Sequence, residues 1–340
     1  MSLYTFKNDH EFLLESGVLL PKYHLAYNTF GKLNSSGDNV VWIFHALTAN
    51  SDPSEWWPMI IGKNKLFDPE NEFIICVNMP GSCYGSLGPL SINPETGKPY
   101  YHDFPFFTTR DMIRSYKALR EHLGIRKIKV GIGGSMGGQQ LLEWAIEEPD
   151  LFEYIFPIAT NAVHSPWGIA FNESQRLCIE TDSTWNQEDP SAGMEGMKTA
   201  RGVALLSYRH YETYEDTQKE EFLDKLSGYK AQSYQKYQGE KLAKRFNAFS
   251  YYVLSKSMDS HNVGRGRGSV ENALQTITAH TTVIAIETDI LFPPQEQKFI
   301  AEHIPSAHLH KVHSHYGHDG FLLEYNQITH IVTEAMAEAG

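Results

Sequence analysis

The chain has 340 residues, 41% of them apolar, and a formal net charge of −12. That length suits one large domain with an insertion, or two domains, and the apolar share is enough for a sizeable core. The acidic balance argues against nucleic acid or an anionic membrane surface as the main partner.

Met1 to His10 is polar, with no apolar signal core, and no apolar run approaches the roughly 20 residues needed to cross a bilayer. Val18–Pro21 and Tyr23–Tyr27 read as an opening antiparallel pair. Ser35–Asp38 is an ordinary turn. Val40–Phe44 is a continuous apolar run ending at His45-Ala46-Leu47-Thr48, and Phe73–Val77 is a second, closing at Asn78. Thr109–His122 has helical spacing, with Met112, Ile113, Tyr116 and Leu119 on one side. Ile128–Ile132 and Tyr154–Ile158 supply two more apolar runs. Runs rather than alternation predict strands buried on both faces, as in a parallel sheet. Strand–helix repetition places the chain in the α/β class.

The character changes after Asn161. Residues 161–265 are rich in Tyr, Gln, Lys and Glu, with helical patterns and few strand-like runs. Strand-like sequence returns at Thr282–Ile286, then a helix over Gln295–His303 and a short strand at Leu309–Val312. We therefore expect a core built from 1–160 and 266–340, interrupted by a helical insertion at 161–265 that acts as a lid. A separate helical domain is the alternative. Cys76, Cys83 and Cys178 are widely spaced and give neither a disulfide framework nor a metal site, so a reducing cytoplasm is the expected compartment.

The chemistry centres on Gly133-Gly134-Ser135-Met136-Gly137, between a strand and a helix-like segment. A G-x-S-x-G at such a junction turns sharply and lifts the serine hydroxyl above the sheet. A serine needs a base, and the base needs an orienting carboxylate. Asp289 follows the Thr282–Ile286 strand and precedes Ile290-Leu291-Phe292-Pro293, the place for that carboxylate; Glu287 is its rival, nearer the strand interior. His318, on a loop after the last strand, is the base, with His313 and His315 structural or solvated. A histidine-rich metal site is the weaker reading, because no carboxylate or cysteine set accompanies it. The tetrahedral oxyanion needs two donors, expected from the backbone N–H groups of Met136 and Leu47.

Several stretches together resemble the homoserine O-acetyltransferases, an acyltransferase branch of the α/β-hydrolase superfamily. They are His45–Thr48, Asn78–Gly85, Gly88–Ser91, Gly133–Gly138, Ala170–Glu173, Tyr208-Arg209, Tyr237–Gly239, Arg245-Phe246, Gly264–Gly268 and Gly317–Asp319. The resemblance implies an α/β-hydrolase fold, a mostly parallel sheet flanked by helices with a helical lid. It implies ping-pong transfer of an acetyl group from acetyl-CoA, a substrate rather than a cofactor, to L-homoserine through acyl-Ser135. It also implies a homodimer formed through the lid. Substrate contacts carry over to Arg209, for the amino acid's carboxylate, and to Asp319, for its ammonium. Arg265 and Arg267 either meet CoA phosphates or form a solvated return from the lid. The chain departs from the family pattern at Ala49-Asn50, Ser86-Leu87, Asn247 and Asn262, which leaves succinyl-CoA and serine open as donor and acceptor. An esterase using the same three residues, and a catalytically silent binding scaffold, are the rival readings.

Overall fold

The computed structural model describes residues 2–222 and 224–338. Among the described residues ten strands form: β1 (Ser2–Asn8), β2 (Phe12–Leu13), β3 (Leu19–Leu20), β4 (Tyr23–Phe30), β5 (Val40–Phe44), β6 (Phe73–Val77), β7 (Ile128–Gly134), β8 (Phe152–Ile158), β9 (His280–Ile286) and β10 (His308–Val312). The main sheet has eight of them in the order β1-β4-β6-β5-β7-β8-β9-β10. From β6 through β10 every pairing is parallel; β1–β4 and β4–β6 are antiparallel. The helices are α1 (Pro53–Trp56), α2 (Thr109–His122), α3 (Met136–Glu147), α4 (Pro166–Glu180), α5 (Met194–Tyr208), α6 (Tyr211–Gln218), α7 (Lys230–Ala243), α8 (Ala248–Asp259), α9 (Val270–Leu274), α10 (Pro294–His303), α11 (Gly320–Leu323) and α12 (Tyr325–Glu338).

The buried runs lie where continuous apolar sequence put them. Within β5, Val40, Trp42 and Phe44 face one apolar layer, with Trp144 of α3 and Tyr116 of α2. Val41 and Ile43 face the other, with Trp57 and with Ile328 and Val332 of α12. Side chains alternate across a strand, so a strand covered on both faces must be apolar throughout. Thr108 starts α2 with a capping box: its hydroxyl accepts from Asp111 N–H at 3.2 Å, and Asp111 accepts from Thr108 N–H at 3.0 Å.

The opening pair differs from expectation. Tyr23–Tyr27 lies within β4, whose partner is β1, with Tyr4 opposite Tyr27 and Phe6 opposite Leu25. Leu19-Leu20 instead forms a separate two-stranded ribbon with Phe12-Leu13. The physical reason is edge occupancy: β4 has two edges, and β1 and β6 take both. The polar start of the chain is therefore an edge strand.

Between β8 and β9 the chain leaves the sheet and builds α4 to α8. Its two ends meet at a neck, where Val163 bridges Asn262, Val263 N–H donates to Ala162 O at 3.0 Å and His164 N–H to His261 O at 3.0 Å. The return through Arg265 and Arg267 is partly exposed but held by ion pairs. Arg265 pairs with Glu15 at 2.8 Å, and Arg267 with Glu143 at 2.6 Å and Glu147 at 2.7 Å. Arg110 joins the same carboxylates, meeting Glu143 at 2.5 Å and Glu15 at 2.9 Å. These ion pairs fasten the neck to α2 and α3.

Candidate active site

Ser135 stands between β7 and α3 with φ 57° and ψ −127°, a conformation L-residues rarely adopt. The turn is held from below: Ser135 N–H donates to Ile158 O at 3.0 Å, and Thr160 Oγ1 donates to Ser135 O at 2.8 Å. Gly137 is required by close approach, since a Cβ there would lie 2.1 Å from Phe44 O. A Cβ on Gly133 would in turn lie 2.7 Å from Gly137. The motif's glycines thus let α3 start directly against the ends of β5 and β7.

Asp289 and His318 arrive from the loops after β9 and β10. Asp289 Oδ1 accepts from the N–H groups of Leu291 at 2.8 Å and Phe292 at 2.9 Å, and Oδ2 meets His318 Nδ1 at 2.6 Å. With both backbone donors on one oxygen, the other is left to fix the imidazole, Nδ1–H toward the carboxylate and Nε2 outward. Phe292 stacks on the ring, with centroids 5.1 Å apart, and Phe321 and Tyr208 close around it. Glu287 is turned to the surface, against His313. Among the described residues no group of His, Cys, Asp and Glu is arranged to hold a metal ion.

Ser135 and His318 line one cavity of about 340 Å³. Leu47 lines it too, and Met136 opens α3 beside it. Neither amide N–H has a backbone acceptor among the described residues. The loop bearing Leu47 is set by His45, which is fully buried. Its Nε2 accepts from Met79 N–H at 3.1 Å, so Nδ1 carries the proton and donates to Ala46 O at 2.9 Å. Burial pushes its pKa down to about 4, keeping it neutral. Asn78 works alongside, accepting from Ser51 N–H at 2.8 Å and donating to Tyr84 O at 2.8 Å.

Arg209 sits behind Asp319. It does not line the cavity; its Nε lies 2.7 Å from Asp319 Oδ2, off the N–H axis, as an ion pair rather than a directed hydrogen bond. Arg209 is the extended C-cap of α5, with ψ 145°, which swings its side chain off the helix face. The cavity wall holds Arg201 instead, two helical turns before Tyr208 and on the same face. Its Nε and Nη1 are buried and have no protein partner among the described residues, and its guanidinium lies 5.3 Å from the Tyr208 ring. Sequence reasoning missed it, although the i, i+7 spacing to Tyr208 was a readable signal. Asp319 does line the cavity; burial pushes its pKa up, against the charges of Arg209 and Arg201. Arg265 and Arg267 are absent from the cavity wall.

The alpha/beta hydrolase fold family model matches residues 39–325. A homoserine O-acetyltransferase of Cyclobacterium marinum is 50% identical over 319 residues, covering 94% of this chain and 91% of that protein. The chain belongs to the homoserine O-acetyltransferase family of alpha/beta hydrolases. Among solved structures, homoserine O-acetyltransferase from Bacillus anthracis superposes with a TM-score of 0.90 at 24% identity, covering 98% of this chain and 96% of that one. Esterase E22 superposes at 0.88, also at 24% identity, covering 98% and 99%. The two likenesses under 25% identity bear on the fold alone.

Proposed function

We propose that the protein transfers an acetyl group from acetyl-CoA to the side-chain hydroxyl of L-homoserine by way of acetyl-Ser135. The observation that carries this reading is the unpartnered Arg201 guanidinium beside Asp319 in the Ser135 cavity, in a chain half identical to a named homoserine O-acetyltransferase. A free amino acid brings one carboxylate and one ammonium. Arg201 would hold the first through its planar fork and Asp319 the second, with the Arg209 charge behind Asp319 opposing the burial that raises its pKa.

The reading assigns each residue a step, supported by the Asp289–His318 pair and by the cavity that Ser135 and His318 share. His318 Nε2 takes the proton of Ser135 Oγ as Oγ attacks the thioester carbonyl, while Asp289 stabilises the imidazolium. The tetrahedral oxyanion receives the N–H groups of Leu47 and Met136. The C–S bond breaks, and the thiolate leaves with the proton from His318. His318 then deprotonates the homoserine hydroxyl, which attacks the acyl carbon; Ser135 Oγ leaves and recovers its proton from His318.

Two further parts of the reading concern assembly and setting. We propose a homodimer formed through the insertion, supported by the exposed side chains of Leu206, Tyr211, Phe222, Leu226 and Tyr237 on that part of the chain. A reducing cytoplasm suits its three free cysteines. No helix among the described residues is long and apolar enough to cross a membrane.

The deciding experiment pairs acetyl-, propionyl- and succinyl-CoA with homoserine, serine and no acceptor, following thiol release. Turnover should be fastest with acetyl-CoA and homoserine. Equal release with and without homoserine would mean that water is the true acceptor, and the enzyme an esterase.

A further inference from the structure

The Ser135 cavity, at about 340 Å³, is small even by the standard of roughly 300–1,000 Å³ for drug-sized ligands. A thioester donor that carries a nucleotide can place only its acyl group and arm inside. Its phosphates stay at the mouth. Two cations of the insertion lie on the cavity lining there, Lys241 in the last turn of α7 and Arg245 just after it. Of the insertion's other lysines, Lys198 is matched by Glu195 and Glu240, Lys225 by Glu220 and Lys230 by Glu221, while Lys219, Lys236, Lys244 and Lys256 make no ion pair among the described residues but do not line this cavity. Lys241 has no ion-pair partner among the described residues, in a chain of net charge −12. Arg245 is held in place without a carboxylate, its Nη1 on Thr48 O and on the Tyr84 hydroxyl at 2.6 Å. That anchor spans from the insertion to the loop bearing Leu47. Of the two acidic side chains on the lining, Asp319 pairs with Arg209, and Glu55 accepts from Asn50 Nδ2 at 2.9 Å.

We propose that Lys241 and Arg245 form the binding site for the phosphate groups of the acyl donor, at the mouth of the Ser135 cavity. The inference rests on a nucleotide-bearing thioester being the donor. Arg265 and Arg267, the other basic pair, are held by Glu15, Glu143 and Glu147 away from this cavity. Lys241 supplies a mobile point charge and Arg245 a fixed planar one, a division of labour suited to phosphate oxygens.

The test compares acetyl-CoA with S-acetyl-pantetheine, which has the same thioester and arm but no phosphates. Lys241 is exposed and makes no ion pair, so Lys241→Ala and Lys241→Glu should fold normally. We expect KM for acetyl-CoA to rise about tenfold in Lys241→Ala, and further in Lys241→Glu, with kcat near wild type. For S-acetyl-pantetheine, kcat/KM should stay within about twofold of wild type in both. The rise for acetyl-CoA should shrink at high salt. An unchanged acetyl-CoA KM in Lys241→Glu overturns the proposal, as does an equal loss with both donors. A fall in thermal stability without a KM change would mark Lys241 as a helix-end cation only, and also overturns it. Wild-type enzyme that takes both thioesters with the same KM overturns the phosphate site but leaves the transfer reaction standing. Wild-type enzyme that refuses acetyl-CoA overturns the donor assignment itself.

Discussion

Replacing Arg201 separates the two half-reactions. Its Nε and Nη1 are both buried and without protein partners, so the side chain has two donors reserved for something that enters the cavity. A hydrogen bond to a charged group contributes about 1.5–3 kcal/mol, so two of them, at the lower end, give about 3 kcal/mol. Arg201→Ala should therefore lower kcat/KM for homoserine roughly 100-fold, at about 1.4 kcal/mol per factor of ten. Arg201→Lys should recover only part, because a point charge replaces the fork. The acylation step precedes homoserine binding. The burst of CoA release on rapid mixing with acetyl-CoA should thus stay within about threefold of wild type. Thermal stability should not fall much, since an unpaired buried guanidinium is itself unfavourable, offsetting the lost contact with Tyr208. The reasoning fails if the burst falls as far as homoserine turnover does, or if Arg209→Ala has the larger effect on homoserine.

Other perturbations probe the supports. Asp289→Asn should cut kcat by about 10³–10⁴-fold, by favouring the wrong tautomer of His318; circular dichroism should remain native. Arg267→Ala should destabilise the fold in urea by less than the roughly 3–5 kcal/mol of a fully broken buried pair, because Arg110 still meets Glu143 at 2.5 Å; its acetyl-CoA KM should match wild type. Stability should fall as pH drops from 6.5 toward 5. Burial lowers His45 and His164 to about 4 and His261 to about 3, so unfolding takes up three protons in that window. Glu296, raised to about 7, releases one, and the net of two gives at most about 3 kcal/mol per pH unit. Urea titrations at pH 7, 6 and 5 would measure the slope, and a flat profile would contradict it.

The strands around the elbow were legible because each local sequence has one physical solution. An apolar run such as Val40–Phe44 needs cover on both faces, and Thr108 with Asp111 caps a helix in its own neighbourhood. The same holds for Gly133 and Gly137, whose missing side chains make sense only where backbones nearly touch. The first strand was less visible because Ser2–Asn8 is an edge, half polar, and its pairing with β4 depends on which edges remain free. Arg265 and Arg267 read either as phosphate contacts or as a solvated return because their partners are distant in the chain, Glu15 lying 250 residues from Arg265 and Glu143 124 residues from Arg267.

By itself, the sequence determined the α/β order of elements, the elbow serine, and an acid and a base following it after later strands. Those depend on short-range geometry: periodicity, turn sterics and caps. Only the tertiary structure decided which arginine faces the serine. Arg201 lies within α5 and Arg209 caps its end, eight residues apart. One lies on the face that seats against the triad loop; the other, at the helix's extended end, is drawn to Asp319 from outside. That choice is set by how the insertion docks on the sheet, and docking is a property of surfaces brought together from distant parts of the chain.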